Sequence, residues 1–477
     1  MSIPELTEAQ EGQLVHALHH FALGHGLDIY PVGFSEHAPV ATPTTLYPTP
    51  FPAKAFERAE TVQPLFNELY AKVSSDVEYL SGILDEFAKY DAGFTGKLWE
   101  SYKKAKKEGI KQPITLGVFR SDYMLDNDEI KQVEFNTVSV SFGGLSTKVG
   151  ELHKYLNNAG YYTGGAAQYY DNAKIPVSES LDKLAAGLAD GVLYYNKTTG
   201  SKNTIVLEIT QEGERNVFDQ RHLEYSLIAN FGIKTRRITL QDIPDKTYKD
   251  DKGKLFLKET KEEVSLVYYR SGYAPSDFKT EEDWQNRVTL ETSLAIKAPS
   301  LLTQLSGAKK IQQLLTESRV LSKFVTDETH KKQLESTFVK IWPLDKSDEG
   351  LIARKLANEE PERFVLKPQR EGGGNNVYKK DIPGFLAKLP EEEWNAYILM
   401  ELIHPPLHKN KVVREGKVYT DEIVSELGRF GTILFNQETT EVLENKDAGW
   451  LLRSKFSTSD EGGVAAGFGC VDGVALE

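Results

Sequence analysis

Apolar residues recur along most of the chain at two spacings, one helical and one extended. Near the start, Leu14, Leu18 and Phe21, with Val15 and Ala22, form one apolar helix face, and Thr7-x-x-Gln10 before them is a capping-box pattern. His16, His19 and His20 fall on the other side. No carboxylate or cysteine completes a zinc set there, so they read as a solvated face. Residues 31–52 are rich in Pro and Thr and predict a segment that winds over the surface. Three helices follow: one carried by Val62, Leu65, Phe66, Leu69 and Val73, then residues 77–90 and 94–107, the last closed by Gly109.

The pattern then changes. Residues 114–119 predict a strand with Arg120 at its end, and residues 132–135 a second, followed by Asn136-Thr137-Val138-Ser139-Val140-Ser141. Gly143-Gly144 opens a helix carrying Val149, Leu152 and Leu156, and Leu181, Leu184, Leu188 and Val192 mark another. Residues 204–209 and 263–269 read as strands with a helix over 218–229 between them, so that 205–298 could be a small α/β unit. The chain is helical again from Leu301, and short apolar runs at 339–342, 364–367, 397–401 and 423–427 make a β-rich C-terminal part. This is an α/β (α+β) chain, and its length predicts two or three domains. The boundaries we expect are 1–204, 205–305 and 306–477. Arg120, Glu134, Asn136, Arg270 and Lys367 stand just past the ends of apolar runs, where α/β folds gather ligands.

One stretch breaks both periodicities: Lys367-Pro368-Gln369-Arg370-Glu371-Gly372-Gly373-Gly374-Asn375-Asn376-Val377-Tyr378. Three glycines in a row contribute no packing, but they let backbone N–H groups approach an anion closely. Lys367 offers a point charge for phosphate oxygens, and Glu371 is a hard oxygen ligand suited to Mg²⁺. The reading is a flexible, phosphate-covering loop over a nucleotide. It is not a P-loop, because no Gly-Lys-Ser/Thr closes it.

Composition narrows the function classes. A net charge of −13 excludes a general nucleic-acid or membrane-surface binder. Any anionic ligand must therefore meet Lys, Arg and metal concentrated in one place. Residues 1–13 are polar and acidic and predict neither a secretion signal nor an Arg-rich transit peptide. With one cysteine, Cys470, no intramolecular disulfide forms, and the chain reads as cytoplasmic.

Other groups suit the same chemistry. Glu134-x-Asn136 puts two oxygen donors on one side of an extended segment, either for Mg²⁺ or as a strand edge ending in an Asx turn. Arg120, Arg270 and Arg453 lie beside apolar runs, where a guanidinium holds either a ligand carboxylate or a surface partner. Lys309-Lys310 reads as a phosphate contact or an exposed helix start. Glu214-Arg215-Asn216-Val217-Phe218-Asp219-Gln220 is dense in donors and acceptors, and suits a zwitterionic ligand or a helix N-terminus capped by Asn216. Backbone groups around Met400, Glu401, Leu402 and Ile403 suit an adenine edge. Glu461-Gly462-Gly463-Val464-Ala465-Ala466-Gly467 is a second small-residue loop, and Cys470 after it reads as a buried apolar residue. Together these groups suit ATP-dependent activation of a carboxylate.

Assembled, the chain resembles the eukaryotic glutathione synthetases, of fungal type, along essentially its whole length. The strings that carry the resemblance are Tyr47-Pro48-Thr49-Pro50, Phe119-Arg120-Ser121-Asp122-Tyr123, Val133-Glu134-Phe135-Asn136-Thr137-Val138-Ser139, 214–220, Tyr269-Arg270-Ser271-Gly272-Tyr273, 367–378 and 453–467. The resemblance implies an ATP-grasp fold with a lid and an inserted substrate-binding domain, and a homodimer. It implies ligation of γ-glutamylcysteine to glycine, giving glutathione, with ATP as co-substrate and two Mg²⁺ per site. By the same resemblance Glu134, Asn136 and Glu371 are Mg²⁺ ligands. Lys309, Lys367, Glu371, Gly372, Gly373, Gly374, Asn375, Asn376, Tyr378, Met400, Glu401, Leu402, Ile403, Glu426, Lys455 and Glu461 belong to the ATP side. Arg120, Ser139, Ser141, Glu214, Asn216, Gln220, Arg270, Tyr273, Arg453, Val464 and Ala465 contact dipeptide and product. Arg120, Lys367 and Arg453 carry the catalytic charge. Glu461 stands where an Asp is familiar in the family. Two alternatives stay open: a synthetase that takes β-alanine or serine, and a non-catalytic ATP-binding descendant. A protein kinase is disfavoured, because no His-Arg-Asp or Asp-Phe-Gly signature occurs.

Overall fold

The capping box forms. In the computed structural model, which describes residues 3–33, 37–165, 167–368, 376–459, 463–464, 467 and 469–477, the Thr7 side chain accepts from the Gln10 N–H. The Gln10 side chain accepts from Thr7 N–H in return, and the helix Glu8–His25 follows. Leu14, Leu18 and Ala22 are buried, while His16 and His20 face solvent.

A 13-stranded mixed sheet runs through the molecule. At its centre Ile114–Asp126 pairs antiparallel with Lys417–Asn436 on one side and parallel with Ile296–Ala298 on the other, and turns back into Glu129–Asn136. Strands Glu263–Tyr269, Ile205–Thr210 and Lys234–Thr239 continue it in parallel. Side chains alternate between two cores, as the pleat requires. Phe119, Phe135 and Leu427 pack under the helices Ala53–Ser75 and Thr95–Glu108. Leu116, Val118 and Leu434 pack under Gly143–Asn158 and Ser180–Thr199.

Three expectations are corrected here. The strand predicted to stop at Phe119 runs on to Asp126, so Arg120 lies mid-strand, opposite Asn136. Its polar continuation survives burial because Arg120 and Asp122 satisfy each other. The stretch expected to wind over the surface does so only at its start. Thr42, Thr44, Thr45, Leu46, Tyr47 and Thr49 are buried. The hydroxyls of Thr45 and Thr49 donate to Asp472 at 2.5 and 2.6 Å, which lets a polar segment enter the core. Finally, the strands of 205–298 do not close a sheet of their own, since Lys297 pairs with Thr115 and joins them to the centre.

A separate four-stranded antiparallel sheet holds Ile341–Pro343, Tyr397–Glu401, Phe364–Pro368 and Val377–Tyr378. Leu366, Leu399 and Phe364 face a small core with residues of the helices Asp348–Glu359 and Asp381–Leu386. The opposite face presents Val365 and Met400, and both line a cleft.

Candidate active site

The cleft, of about 460 Å³, lies between this small sheet and the central one. Arg120, Glu134 and Asn136 reach it from the central hairpin, Ser139 and Ser141 from the loop after it, and Glu426, Arg453 and Lys455 from the long C-terminal strands. Glu214, Asn216, Tyr273 and Lys309 line it, and Lys367, Asn376, Tyr378, Met400, Glu401, Leu402 and Ile403 complete the small-sheet side. Gln220, Arg270 and Val464 are buried but do not line it. Glu371, Gly372, Gly373, Gly374, Asn375, Glu461 and Ala465 lie outside the described residues.

Asp122, which sequence reasoning left out of the site, holds the charged floor together. It is fully buried. It accepts Nε and Nη2 of Arg120 at 2.6 and 2.8 Å, Nη2 of Arg453 at 3.2 Å, and Nδ2 of Asn136 at 2.9 Å. The bond to Asn136 occupies the amide nitrogen and leaves the amide oxygen for a cation. Arg453 also donates through Nε to Glu426 at 2.9 Å. Burial alone would lower the Arg453 guanidinium, but Glu426, Asp122 and Glu134 outweigh it and keep it firmly charged. The signal for Asp122 was present. An acid two residues from an arginine, inside an otherwise apolar strand, shares its face of the sheet.

Glu134 meets two lysines. Its Oε2 accepts Nζ of Lys309 at 2.9 Å, and Nζ of Lys367 donates to the Val133 carbonyl next door at 3.0 Å. Burial pushes the Glu134 carboxyl up, yet Lys309 and Lys367 win and hold it well below the usual carboxylate range. Lys367 is itself driven down to about 8 by burial, against the pull of Glu134. Two buried lysines side by side at the cleft make a place where an incoming polyanion is favourable.

The loop between hairpin and helix is held from outside the cleft. Ser139 and Phe142 take the left-handed region, at φ 53° and 71°. Asp219, also not foreseen as a site residue, accepts the N–H groups of Phe142, Gly144 and Leu145 at 2.7, 2.8 and 3.1 Å. Arg270 donates to the Val140 carbonyl at 2.5 Å and to Oγ of Ser141 at 2.6 Å. Its Nε and the Oδ1 of Asn216 are buried and have no partner among the described residues. Asn216 occupies the N-cap position of Val217–Phe231, but its side chain makes no capping bond. Orphaned polar atoms in and behind a cleft wall mark a place where a polar ligand completes the bonding.

On the small-sheet side, the N–H groups of Glu401 and Leu402 are taken by the carbonyls of Lys340 and Arg363, at 3.0 and 2.8 Å. The N–H of Ile403 makes no such bond among the described residues. It is therefore the group that can pair with a purine edge, with Met400 and Val365 as an apolar floor. Among the described residues no three His, Cys, Asp or Glu side chains cluster to hold a metal. Glu134 and Asn136 supply two hard oxygens, a donor set that fits a shared Mg²⁺ with ligand oxygens and waters filling the rest.

Cations, hard oxygen donors and an apolar shelf across one cleft define a site of the nucleotide-binding class. Comparison with known proteins gives the same class and narrows it. The family model described as eukaryotic glutathione synthase, ATP binding domain, matches residues 8–476. The chain is 40% identical to the glutathione synthetase large chain of Schizosaccharomyces pombe, with 100% of both chains covered. It is 41% identical to the chloroplastic glutathione synthetase of Solanum lycopersicum, over 92% of this chain and 78% of that one. A solved apo structure of a glutathione synthetase-like effector from Globodera pallida has the same fold, with a TM-score of 0.76 at 23% identity over 100% of both chains. This chain belongs to the eukaryotic glutathione synthetase family.

Proposed function

We propose that this protein joins γ-glutamylcysteine to glycine at the cost of ATP, giving glutathione, ADP and phosphate. In this reading the cysteinyl carboxylate attacks the γ-phosphorus of ATP, the bond to the β-phosphate oxygen breaks, and ADP leaves. The glycine nitrogen then attacks the acyl phosphate carbon, loses a proton and expels phosphate. Arg120, held flat by Asp122, faces the carboxylate and stabilises its charge as it is phosphorylated and attacked. Arg453 supports the same charge from the next strand, and Lys309 and Lys367 receive the phosphates. Glu134 and Asn136, with Glu371, would hold Mg²⁺, which when bound neutralises charge on the transferring phosphoryl group. Glu214 receives the substrate ammonium, and Ile403 the adenine edge.

The finer architecture belongs to the same reading. The chain is an ATP-grasp protein whose lid is the stretch 367–378, with 205–305 as the substrate-binding part between 1–204 and 306–477. A lid serves this chemistry because an acyl phosphate hydrolyses in water. The protein acts as a cytoplasmic homodimer. Among the described residues no helix is long and apolar enough to cross a membrane.

The observation that carries this reading is convergence. Arg120, Glu134, Asn136, Lys309, Lys367 and Arg453 come from four distant parts of the chain and meet at one cleft, in a protein that matches the family from end to end. The test is phosphate release with ATP, Mg²⁺ and γ-glutamylcysteine, offering glycine, β-alanine or serine. Glycine is expected to give the highest rate, and chelation of Mg²⁺ to abolish it. A preference for β-alanine or serine, or ATP binding without release, overturns the assignment.

A further inference from the structure

Behind Glu214, away from the cleft, runs a chain of hydrogen bonds that the reaction itself does not call for. Oε2 of Glu214 accepts Nε2 of Gln220 at 3.2 Å. Oε1 of Gln220 accepts Nη2 of Arg237 at 2.5 Å. Arg237 stands on Lys234–Thr239, the last strand at its end of the central sheet, and its Nη1 donates to Glu224 at 2.7 Å and to the buried Glu208. Gln220 is 1% exposed, and the Arg237 side chain 14%.

A glutamine amide has two nearly isosteric ends, and its terminal torsion distinguishes them weakly. The neighbours decide. With the oxygen toward Glu214, two acceptors would face each other in a buried place. A guanidinium has donors only, so it accepts no amide N–H. Arg237 therefore admits one orientation, oxygen outward and N–H groups toward Glu214. Glu224 offsets the Arg237 charge, with the buried Glu208, whose carboxyl burial pushes up to about 8, as a further acceptor beside it, so Glu214 is left for a ligand. Among the described residues Glu214 also accepts the Asn216 N–H at 2.7 Å and Nε2 of Gln211 at 3.1 Å, both from its own loop.

We propose that Arg237 is a positioning residue for substrate selection: through Gln220 it fixes the carboxylate of Glu214 that receives the ammonium of a γ-glutamyl substrate. This rests on the function assigned above. Arg237 touches no substrate, and its effect is confined to the ammonium end of the dipeptide.

The experiment compares wild type, Arg237→Met and Arg237→Lys with two dipeptides, γ-glutamylcysteine and glutarylcysteine, which lacks the α-amino group. With γ-glutamylcysteine, Arg237→Met is expected to raise KM about tenfold while kcat and the KM of ATP stay within about twofold. With glutarylcysteine its KM should match wild type. Arg237→Lys should recover part of the loss, and on a Glu214→Gln background Arg237→Met should add nothing further. Equal KM increases for both dipeptides, or effects that add on the Glu214→Gln background, overturn the proposal. If Arg237→Met does not fold, Arg237→Lys carries the same comparison with a smaller shift. A wild-type protein that releases no phosphate with γ-glutamylcysteine and glycine overturns both readings. A working wild type with an indifferent Arg237 overturns this one alone.

Discussion

The two sides of the cleft are built on different principles. On the central sheet, Arg120, Arg453 and Glu426 are each held by an opposite charge. Arg120, Arg453, Asn136 and Asp122 form one network, joined by Glu426 through Arg453, on strands paired along their length. On the small sheet, among the described residues, Lys367 donates to the Val133 carbonyl and acts on Glu134 through its charge alone. That sheet has its own core and packs on its own helices. The central side is preorganised, so the geometry around a developing charge exists before substrate arrives. The small-sheet side carries charge that is under-used until a polyanion arrives. Rigidity and receptivity are thus divided between two sheets that share one cleft.

If this division is right, mutations on the two sides should fail differently. Asp122→Ala should be the most damaging, because it leaves the buried Arg120 without its acid and the half-buried Arg453 with Glu426 alone. We expect a loss of about 3–5 kcal/mol in urea unfolding and a fall in kcat of about a thousandfold or more. Lys367→Met should lower kcat by about a hundredfold or more, yet change the unfolding free energy by less than about 1 kcal/mol, since burying that ammonium already costs stability. A Lys367→Met protein that unfolds as easily as Asp122→Ala breaks the comparison. Ile403→Pro removes one N–H on the small-sheet side. It should raise the KM of ATP about tenfold and leave that of the dipeptide unchanged. Equal effects on both substrates would move the purine elsewhere.

The smallest effect concerns the central side and pH. Burial pushes the Asp472 carboxyl up to about 6, against the hydroxyls of Ser454, Thr45 and Thr49. The folded protein therefore holds this proton more tightly than the unfolded chain does. Its stabilising contribution is full below about pH 4, declines as pH rises toward 6, and is constant above that. Urea midpoints for Asp472→Asn should show a shallower decline over that interval than wild type. Parallel curves would remove Asp472 from the account of pH stability.

Much of this was legible beforehand, and the failures are informative. The helix at Glu8–His25 and the strands Glu263–Tyr269 and Tyr397–Glu401 follow from local periodicity and a capping box. Lys309, Lys367, Glu134 and Asn136 were foreseen by residue type and do meet. Asp122 and Asp219 were missed as site residues because each acts on partners rather than on ligand. Gln220 and Arg270, expected at the ligand, do not line the cleft but bond to Glu214 and Ser141, which do. The segment around Thr45 and Thr49 misled because hydroxyls look like surface until their acceptor, more than 420 residues away along the chain, is known.

Taken by itself, the amino-acid order settled where many of the helices and strands lie, which residue types were at hand for phosphate, metal and carboxylate, and, through its likeness to relatives, the family. Those properties are local, or are carried by short strings, and survive without knowing what lies next to what. Only the tertiary structure decided that Asp122 binds two arginines and an amide at once, that Arg120 sits mid-strand, and that Arg237 turns the amide of Gln220. Each depends on which strands and helices lie side by side, the widest link running from Asp122 to Arg453. Burial, which makes such a contact strong, comes from packing that no local spacing records.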